Sequence, residues 1–129
     1  MSCLNDFRVK LGGKEYAPLM LGGMGTNIST AELVLALEKL GGIANLSDAM
    51  MMEVCDRLFG TTYSIEKAKL NMRFKGQEDK TGLNFNLDHV RDATMRYVQS
   101  VMEKATGNGL VLINCMEKLT MNDTLETLK

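Results

Sequence analysis

The sequence predicts an α/β fold built on parallel strands, and three observations support this prediction. Short apolar runs alternate along the chain with stretches in which apolar residues recur at helical spacing. The run at residues 110–113 contains no polar residue, which is typical of a parallel strand covered on both faces. Residues 17–46 read as strand, loop, helix and strand within about 30 residues, the size of a βαβ unit.

The first elements follow in order from the amino end. Residues 1–16 are predicted to form a β-hairpin, since apolar and basic residues alternate at positions 7–11 and a Gly-Gly pair then turns the chain. The apolar run at residues 17–21 is interpreted as a buried strand, and a glycine-rich loop follows it. Ser29 and Glu32 have the spacing of a capping box, which predicts a helix start. The predicted apolar face of this helix consists of Leu33, Val34, Ala36, Leu37 and Leu40.

The Gly-Gly pair at residues 41–42 stops the first helix, and residues 43–46 form the next predicted strand. From Ser47 onward apolar residues keep helical spacing up to Gly60, which predicts one helix, and a second helical stretch is predicted from Ser64 to about Met72. Residues 73–86 are interpreted as a polar surface segment.

A longer helix follows this segment. Asp88 is expected to cap it, its buried face is expected to include Val90, Ala93, Tyr97, Val101 and Ala105, and residues 107–109 are expected to end it. The capping pattern at residues 123–126 predicts one more helix, and the chain stops three residues later. We therefore expect an incomplete domain.

Composition narrows the range of partners. The 129 residues carry 15 basic and 16 acidic side chains, a formal net charge of -1, without a basic stripe, so we expect neither nucleic acid nor a membrane as a partner. No signal peptide or membrane-spanning run is evident, and we expect a cytoplasmic location. Cys3, Cys55 and Cys115 are widely spaced, which favours neither a disulfide framework nor a metal site.

The strongest candidate for a functional site is the loop Gly22-Gly23-Met24-Gly25, between the first predicted strand and helix. Glycines at this place let main-chain N–H groups approach a planar cofactor or a phosphate. The run matches neither GxGxxG nor the phosphate loop GxxxxGK[ST], and a tight strand-to-helix turn needs glycine for steric reasons alone. Structural and functional interpretations are about equally supported by this loop in isolation.

A wider pattern resembles the nitronate monooxygenase family, formerly called 2-nitropropane dioxygenases. The matching blocks are residues 18–25, Pro-Leu-Met-Leu-Gly-Gly-Met-Gly, then residues 28–33 and the Gly-Gly-Ile at 41–43, and finally residues 112–120 around Asn114. In the family, a strand ending in Gln-Gly-Gly-Met-Gly precedes a Ser-capped helix, and the third strand ends in an Asn at the flavin site. The resemblance covers nearly the whole chain.

The resemblance implies the N-terminal portion of a (β/α)8 TIM barrel, in which residues 17–129 supply the first three βα units after the hairpin. Gly22, Gly23, Met24, Gly25 and Asn114 would contact FMN, at the strand ends where such barrels build their active sites. The implied activity is oxidation of a small molecule, an alkyl nitronate, with O2. A homo-oligomer is compatible with the resemblance. A barrel of about 250 residues is needed for closure, so we expect this chain alone to be inactive.

The chain departs from the family pattern at two places. Leu21 stands where the family usually has Gln, and residues 47–86 are longer than the commonest connection. The family's catalytic His lies further along than this chain extends. We interpret His89 as a solvated residue at a helix start, leave the catalytic residues unassigned, and interpret Glu117 and Lys118 as solvated.

Two alternatives remain open. A flavin-dependent enoyl-thioester reductase shares the Gly-Gly-Met-Gly opening. From another class, the chain can be a non-catalytic half-barrel that binds a partner or dimerises through its open sheet edge.

Overall fold

The computed structural model describes residues 6–25, 28–79 and 86–115. In these ranges the chain has eight elements, in the order β1 (Val9–Leu11), β2 (Lys14–Tyr16), α1 (Ala31–Lys39), β3 (Ile43–Ser47), α2 (Met51–Phe59), α3 (Tyr63–Arg73), α4 (Leu87–Met102) and β4 (Leu110–Asn114). They fall into two compact units. Of the described residues, the first unit comprises 6–25, 28–49 and 99–115, and the second comprises 50–79 and 86–98.

The predicted hairpin is present in the first unit. β1 and β2 pair antiparallel, with Val9 opposite Tyr16 and Leu11 opposite Lys14. Gly12 and Gly13 have φ values of 57° and 78°, the left-handed conformation that a two-residue hairpin turn requires.

The centre of the first unit is a parallel sheet. β3 and β4 pair in register from Ile43 opposite Leu110 to Ser47 opposite Asn114. Met20 forms an isolated parallel bridge with Ile43 on the other side of β3, so the sheet order is Met20 segment, β3, β4. All three run in the same direction, as the alternation of elements predicts.

Two predictions about burial in this sheet are wrong. The segment 17–21 is not a buried strand, because Leu19 and Met20 are 51% and 67% exposed and only a single bridge ties Met20 to the sheet. β4 is only half-buried, and Ile113 is 39% exposed. The reason is positional: within the described residues both segments lie at an edge of the sheet, and only β3 has a strand on each side.

Helix α1 begins at Ala31, and the predicted capping box is not formed. Its N-cap is Thr30, whose side chain makes no capping bond. The hydroxyl of Ser29, which would form the predicted capping box, donates to Gly22 O instead. The predicted apolar face is wrong in part: Val34 is buried as predicted, but Leu33 and Leu40 are 43% and 68% exposed, and Glu38 is buried in their place. The predicted glycine stop is correct, since Gly41 has φ 78° just after the helix.

Glu38 holds the end of α1 against the turn that leads into β4. Its carboxylate accepts hydrogen bonds from Thr106 N at 3.0 Å, from Thr106 Oγ1 at 3.0 Å and from Gly109 N at 3.3 Å. Burial by itself raises the pKa of Glu38, but the hydrogen bonds from Thr106, Gly109 and Gly107 outweigh it and lower the pKa below its ordinary value. A buried carboxylate is satisfied in this way and fixes the amino end of the sheet.

The second unit contains α2, α3 and the first part of α4. Helices α2 and α3 are present as predicted, and Gly60 ends α2 with φ 66°. The predicted cap of α4 is wrong: Asp88 lies in the first turn, and Asn86 Oδ1 accepts the Asp88 N–H at 3.1 Å. Helix α4 ends at Met102, before the predicted stop at residues 107–109, and Ala105 therefore lies beyond it.

The predicted buried face of α4 agrees with the structure up to that end. Ala93, Tyr97 and Val101 are buried, and Val90 is half-buried. The helix predicted at residues 123–126, together with Glu117 and Lys118, lies outside the described residues. Within the described ranges no helix combines the length and apolarity that crossing a membrane requires.

Candidate functional site

The candidate site lies at the carboxyl edge of the parallel sheet. The loop Gly22–Gly25 follows the Met20 bridge, and Asn114 is the last residue of β4, directly beside Ser47 of β3. In a parallel sheet the carboxyl ends of all strands meet at one edge, so the loop and Asn114 are brought to the same place. Asp48, whose N–H reaches Asn114 O at 3.4 Å, continues β3 at this edge.

Gly23 and Asn114, which are 91 residues apart in sequence, are in direct contact. Asn114 Nδ2 donates to Gly23 O at 3.4 Å. A Cβ at position 23 would lie 2.5 Å from both Cβ and Nδ2 of Asn114, closer than real atoms approach. Glycine at position 23 is therefore required by the asparagine that packs on it.

Ser29 ties the loop to the start of α1. Its hydroxyl donates to Gly22 O at 3.1 Å and accepts from Met24 N at 3.0 Å, and the residue is 3% exposed. This pair of bonds closes the loop on itself. The sequence pattern identified Ser29, but it predicted a helix cap where the structure has a brace for the glycine loop.

Asn45, in the middle of β3, is a site residue that the sequence analysis missed. Its Nδ2 donates to Leu21 O at 3.2 Å. The strand register places Asn45, Ser47 and Asn114 on one face of the sheet, while Ala44 and Leu46, both fully buried, lie on the other. A polar residue at every second position of β3 was the available signal, and the shortness of the run hid it.

The loop leaves both surface and donors accessible. Gly22, Gly23 and Met24 are exposed, and Met24 is 50% exposed. The carbonyls of Leu21, Gly22 and Gly23 accept bonds from side chains, whereas the N–H groups of Gly22 and Gly23 have no acceptor among the described residues. The edge therefore presents main-chain donors and a surface without side chains at positions 22 and 23.

The interpretation of His89 as a solvated residue is wrong in part. The ring lies 5.6 Å from that of Tyr63, and Nδ1 is 3.5 Å from Glu66 Oε2, with the side chain 35% exposed. A cavity of about 10 Å³ adjoins it, room for one water molecule and no more. His89 belongs to the packing of the second unit.

The three cysteines were predicted to form neither a disulfide framework nor a metal site. Cys55 is fully buried and its Sγ donates to Ala93 O at 3.1 Å. Cys3 lies outside the described residues. In the ranges 6–25, 28–79 and 86–115, no group of three or more His, Cys, Asp or Glu side chains is arranged to hold a metal ion.

Fold and site together define an α/β chain with a parallel sheet whose carboxyl edge carries a braced glycine loop and a polar face. No family model, no curated protein and no solved structure matches this chain. The contacts at the sheet edge are therefore the basis on which function is argued.

Proposed function

We propose that this chain supplies part of the FMN site of a flavin-dependent oxidoreductase of the nitronate monooxygenase type, as the first three βα units of a (β/α)8 barrel. Gly22, Gly23, Met24, Gly25 and Asn114 are the residues that would hold the cofactor. The substrate class is a small alkyl nitronate, with O2 as the final oxidant.

The contact between Gly23 and Asn114 is the observation that carries this proposal. The resemblance to the family assigns the glycine loop and the asparagine, from two separate sequence blocks, to one flavin site. Asn114 Nδ2 lies 3.4 Å from Gly23 O, and the two residues pack without room for a Cβ. Strand topology brings both blocks to the carboxyl edge of the sheet, where α/β proteins bind ligands, and the packing of Asn114 on Gly23 is the specific contact that supports a shared site.

Gly22 provides the test of whether the loop fits a planar group. Its φ lies outside the left-handed region, and a Cβ built on it meets nothing within 4 Å. Neither backbone conformation nor packing within the described residues requires glycine there. A flat ring resting on the main chain does require it, because a side chain would hold the ring away from the N–H groups.

The chain's own residues contribute binding and orientation. FMN, when bound, supplies the capacity to accept electrons from the substrate and pass them to O2. The N–H groups of Gly22 and Gly23 offer hydrogen bonds to acceptor atoms, and Met24 offers apolar contact area. Asn114 retains its Oδ1 and one N–H for a ligand after bonding Gly23. A nitronate is already an anion, so main-chain and amide donors suit it chemically.

The experiment is a titration of FMN into the purified 129-residue chain, followed by flavin absorbance and fluorescence. Wild type is expected to perturb the flavin band, and Gly22→Ala is expected to weaken FMN binding about tenfold without changing the melting temperature. Asn108→Ala is the control for a substitution outside the site. Asn108 lies away from the glycine loop, where its Nδ2 donates to Lys39 O at 3.4 Å.

The outcomes separate the candidate functions. An unperturbed flavin spectrum with folded wild-type chain, or equal FMN affinity in wild type and Gly22→Ala, would contradict the proposal. Because the chain alone is expected to be inactive, ligand binding separates the two enzyme classes: an alkyl nitronate that tightens FMN binding supports the monooxygenase assignment. An enoyl thioester that tightens it would support the reductase in its place.

A further inference from the structure

Three successive peptide groups of the glycine loop are each held by a different side chain. Asn45 Nδ2 binds Leu21 O at 3.2 Å, Ser29 Oγ binds Gly22 O at 3.1 Å, and Asn114 Nδ2 binds Gly23 O at 3.4 Å. The three side chains come from β3, from the segment before α1, and from β4. The loop is thus braced one peptide at a time.

Holding a carbonyl also sets the direction of the next N–H. A trans peptide is planar and its C=O and N–H point in opposite directions, and the described chain has no cis peptide bond. The bond from Asn45 to Leu21 O therefore orients the N–H of Gly22. In the same way Ser29 orients the N–H of Gly23, and Asn114 orients the N–H of Met24, which donates back to Ser29.

Asn45 has no other evident reason to occupy its position. It is half-buried in a strand, a place that a β-branched residue would suit better than a carboxamide. The sheet bonds of β3 are made by its main chain and do not need a carboxamide. Within the described residues, the Asn45 side chain bonds to the loop.

We propose that Asn45 is a positioning residue of the FMN site, which fixes the N–H of Gly22 in the direction from which a ligand on the glycine loop receives it. The proposal rests on the proposed function, since FMN is the ligand concerned. It adds a residue that the family resemblance does not supply, and it makes a claim about direction: removal of the amide donor frees the Gly22 N–H to turn.

The test compares Asn45→Asp with Asn108→Asp in the full chain. Both substitutions replace an amide that donates to a main-chain carbonyl, but only Asn45 faces the loop. At pH 8 Asn45→Asp is expected to bind FMN about tenfold more weakly and to lose part of the shift in the flavin absorbance band, because an ionised carboxylate cannot donate. Asn108→Asp is expected to behave as wild type.

A pH series separates positioning from simple damage to the fold. Near pH 4 the introduced carboxyl group is partly protonated and can donate again, so the ratio of FMN affinities between wild type and Asn45→Asp is expected to shrink. Asn45→Ser is too short to reach Leu21 O and carries no charge, and its deficit is expected at every pH. If Asn45→Asp does not fold, Asn45→Ser alone carries the comparison with Asn108→Asp.

The results distinguish this inference from the proposed function. Equal FMN affinity and band shape in wild type, Asn45→Asp and Asn45→Ser would overturn the positioning role while FMN binding itself stood. If the wild-type chain binds no FMN, the NMR order parameter of the Gly22 N–H decides the matter: a lower value in Asn45→Ser than in Asn108→Asp supports positioning, and equal values overturn it.

Discussion

Asp56, at the end of α2, caps the helix that follows it. Its carboxylate accepts hydrogen bonds from Thr61 Oγ1 at 2.6 Å, from Tyr63 N at 2.7 Å and from Ser64 N at 2.8 Å. Tyr63 and Ser64 open α3, whose own N-cap residue makes no side-chain bond. A negative charge at a helix N-terminus is stabilised both by these free N–H groups and by the helix dipole.

This arrangement predicts an acid-sensitive contribution to stability. Partial burial raises the pKa of Asp56, but the hydrogen bonds from Thr61, Ser64 and Tyr63 outweigh it and lower the pKa from 3.8 to about 2. A lowered folded-state pKa means that the unfolded chain binds more protons between these values, so this stability is complete above about pH 4 and is lost as the pH falls through about 2.

Asp56→Ala is expected to lower the free energy of unfolding at pH 7 by about 2 kcal/mol, the upper end of the range for a lost cap. The difference from wild type should narrow between pH 4 and pH 2. Urea titrations at several pH values measure it, with Asp92→Ala as the control because Asp92 is exposed on α4. A deficit that is equal for both variants, or independent of pH, would contradict the capping role.

Cys55 is expected to be chemically inert in the folded chain. It is fully buried, it donates to Ala93 O, and burial raises the pKa of its thiol, so little reactive thiolate forms. Iodoacetamide at pH 8 should modify exposed Cys115 roughly a hundredfold faster than Cys55, as judged by peptide mass spectrometry. In about 8 M urea, a concentration expected to unfold the chain, the two modification rates should converge. Similar rates in buffer would show that Cys55 is accessible.

At this scale the sequence identified residue types better than their partners. Ser29 was correctly singled out, yet it bonds the loop backward to Gly22 and not forward to the helix. Asn86, and not Asp88, caps α4. Both errors have one cause: short polar side chains can reach several nearby main-chain groups, and tertiary packing chooses among them.

Among the elements, α1 differs most from its sequence pattern. The helical repeat of leucines predicted a buried leucine face, but the helix buries Val34 and Glu38. Glu38 reaches the turn at Thr106 and Gly109, about 70 residues along the chain, a contact between distant segments that local periodicity cannot reveal. The C-terminal end of α1, by contrast, follows from a local signal, the glycine at position 41.

Glu38→Ala is expected to destabilise the chain by about 3 kcal/mol, since it removes a buried carboxylate that accepts hydrogen bonds from Thr106 and Gly109. Glu32→Ala on the exposed side of the same helix is the control and should cost less than about 0.5 kcal/mol. Chemical denaturation followed by circular dichroism measures both. If Glu38→Ala unfolds at the denaturant concentration of Glu32→Ala, the carboxylate does not fix the turn.

For the whole molecule, alternation of strands and helices predicted a parallel sheet, and the family resemblance put the glycine loop and Asn114 at the carboxyl ends of strands. The pairing of β3 with β4 and the direct contact of Gly23 with Asn114 were not predicted. Asn45 was not predicted either, because the alternation of Asn45 and Ser47 lies in a strand of five residues, too short a run to stand out. Exposure of the outer strands also escaped prediction, since apolar runs do not reveal whether a neighbouring strand is present.

The segment around Met20 gives the described sheet an open edge. Leu19 O and Leu21 N bond Ile43, so the main-chain groups of Met20 between them point away from β3. Met20 itself is 67% exposed, and Leu19 beside it is 51% exposed. An exposed apolar edge with unpaired main-chain groups is a template for pairing with another chain. We therefore expect weak self-association through this edge.

Met20→Lys is expected to weaken that association about tenfold or more, because two introduced charges would face each other across a paired edge. Met72→Lys is the matched control, since Met72 is 78% exposed on α3 and far from any strand in sequence. Sedimentation velocity over a range of concentrations measures both. A wild-type chain that stays monomeric throughout, or equal weakening by both lysines, would exclude the edge as the contact. Association that persists with FMN bound would place the open edge apart from the glycine loop.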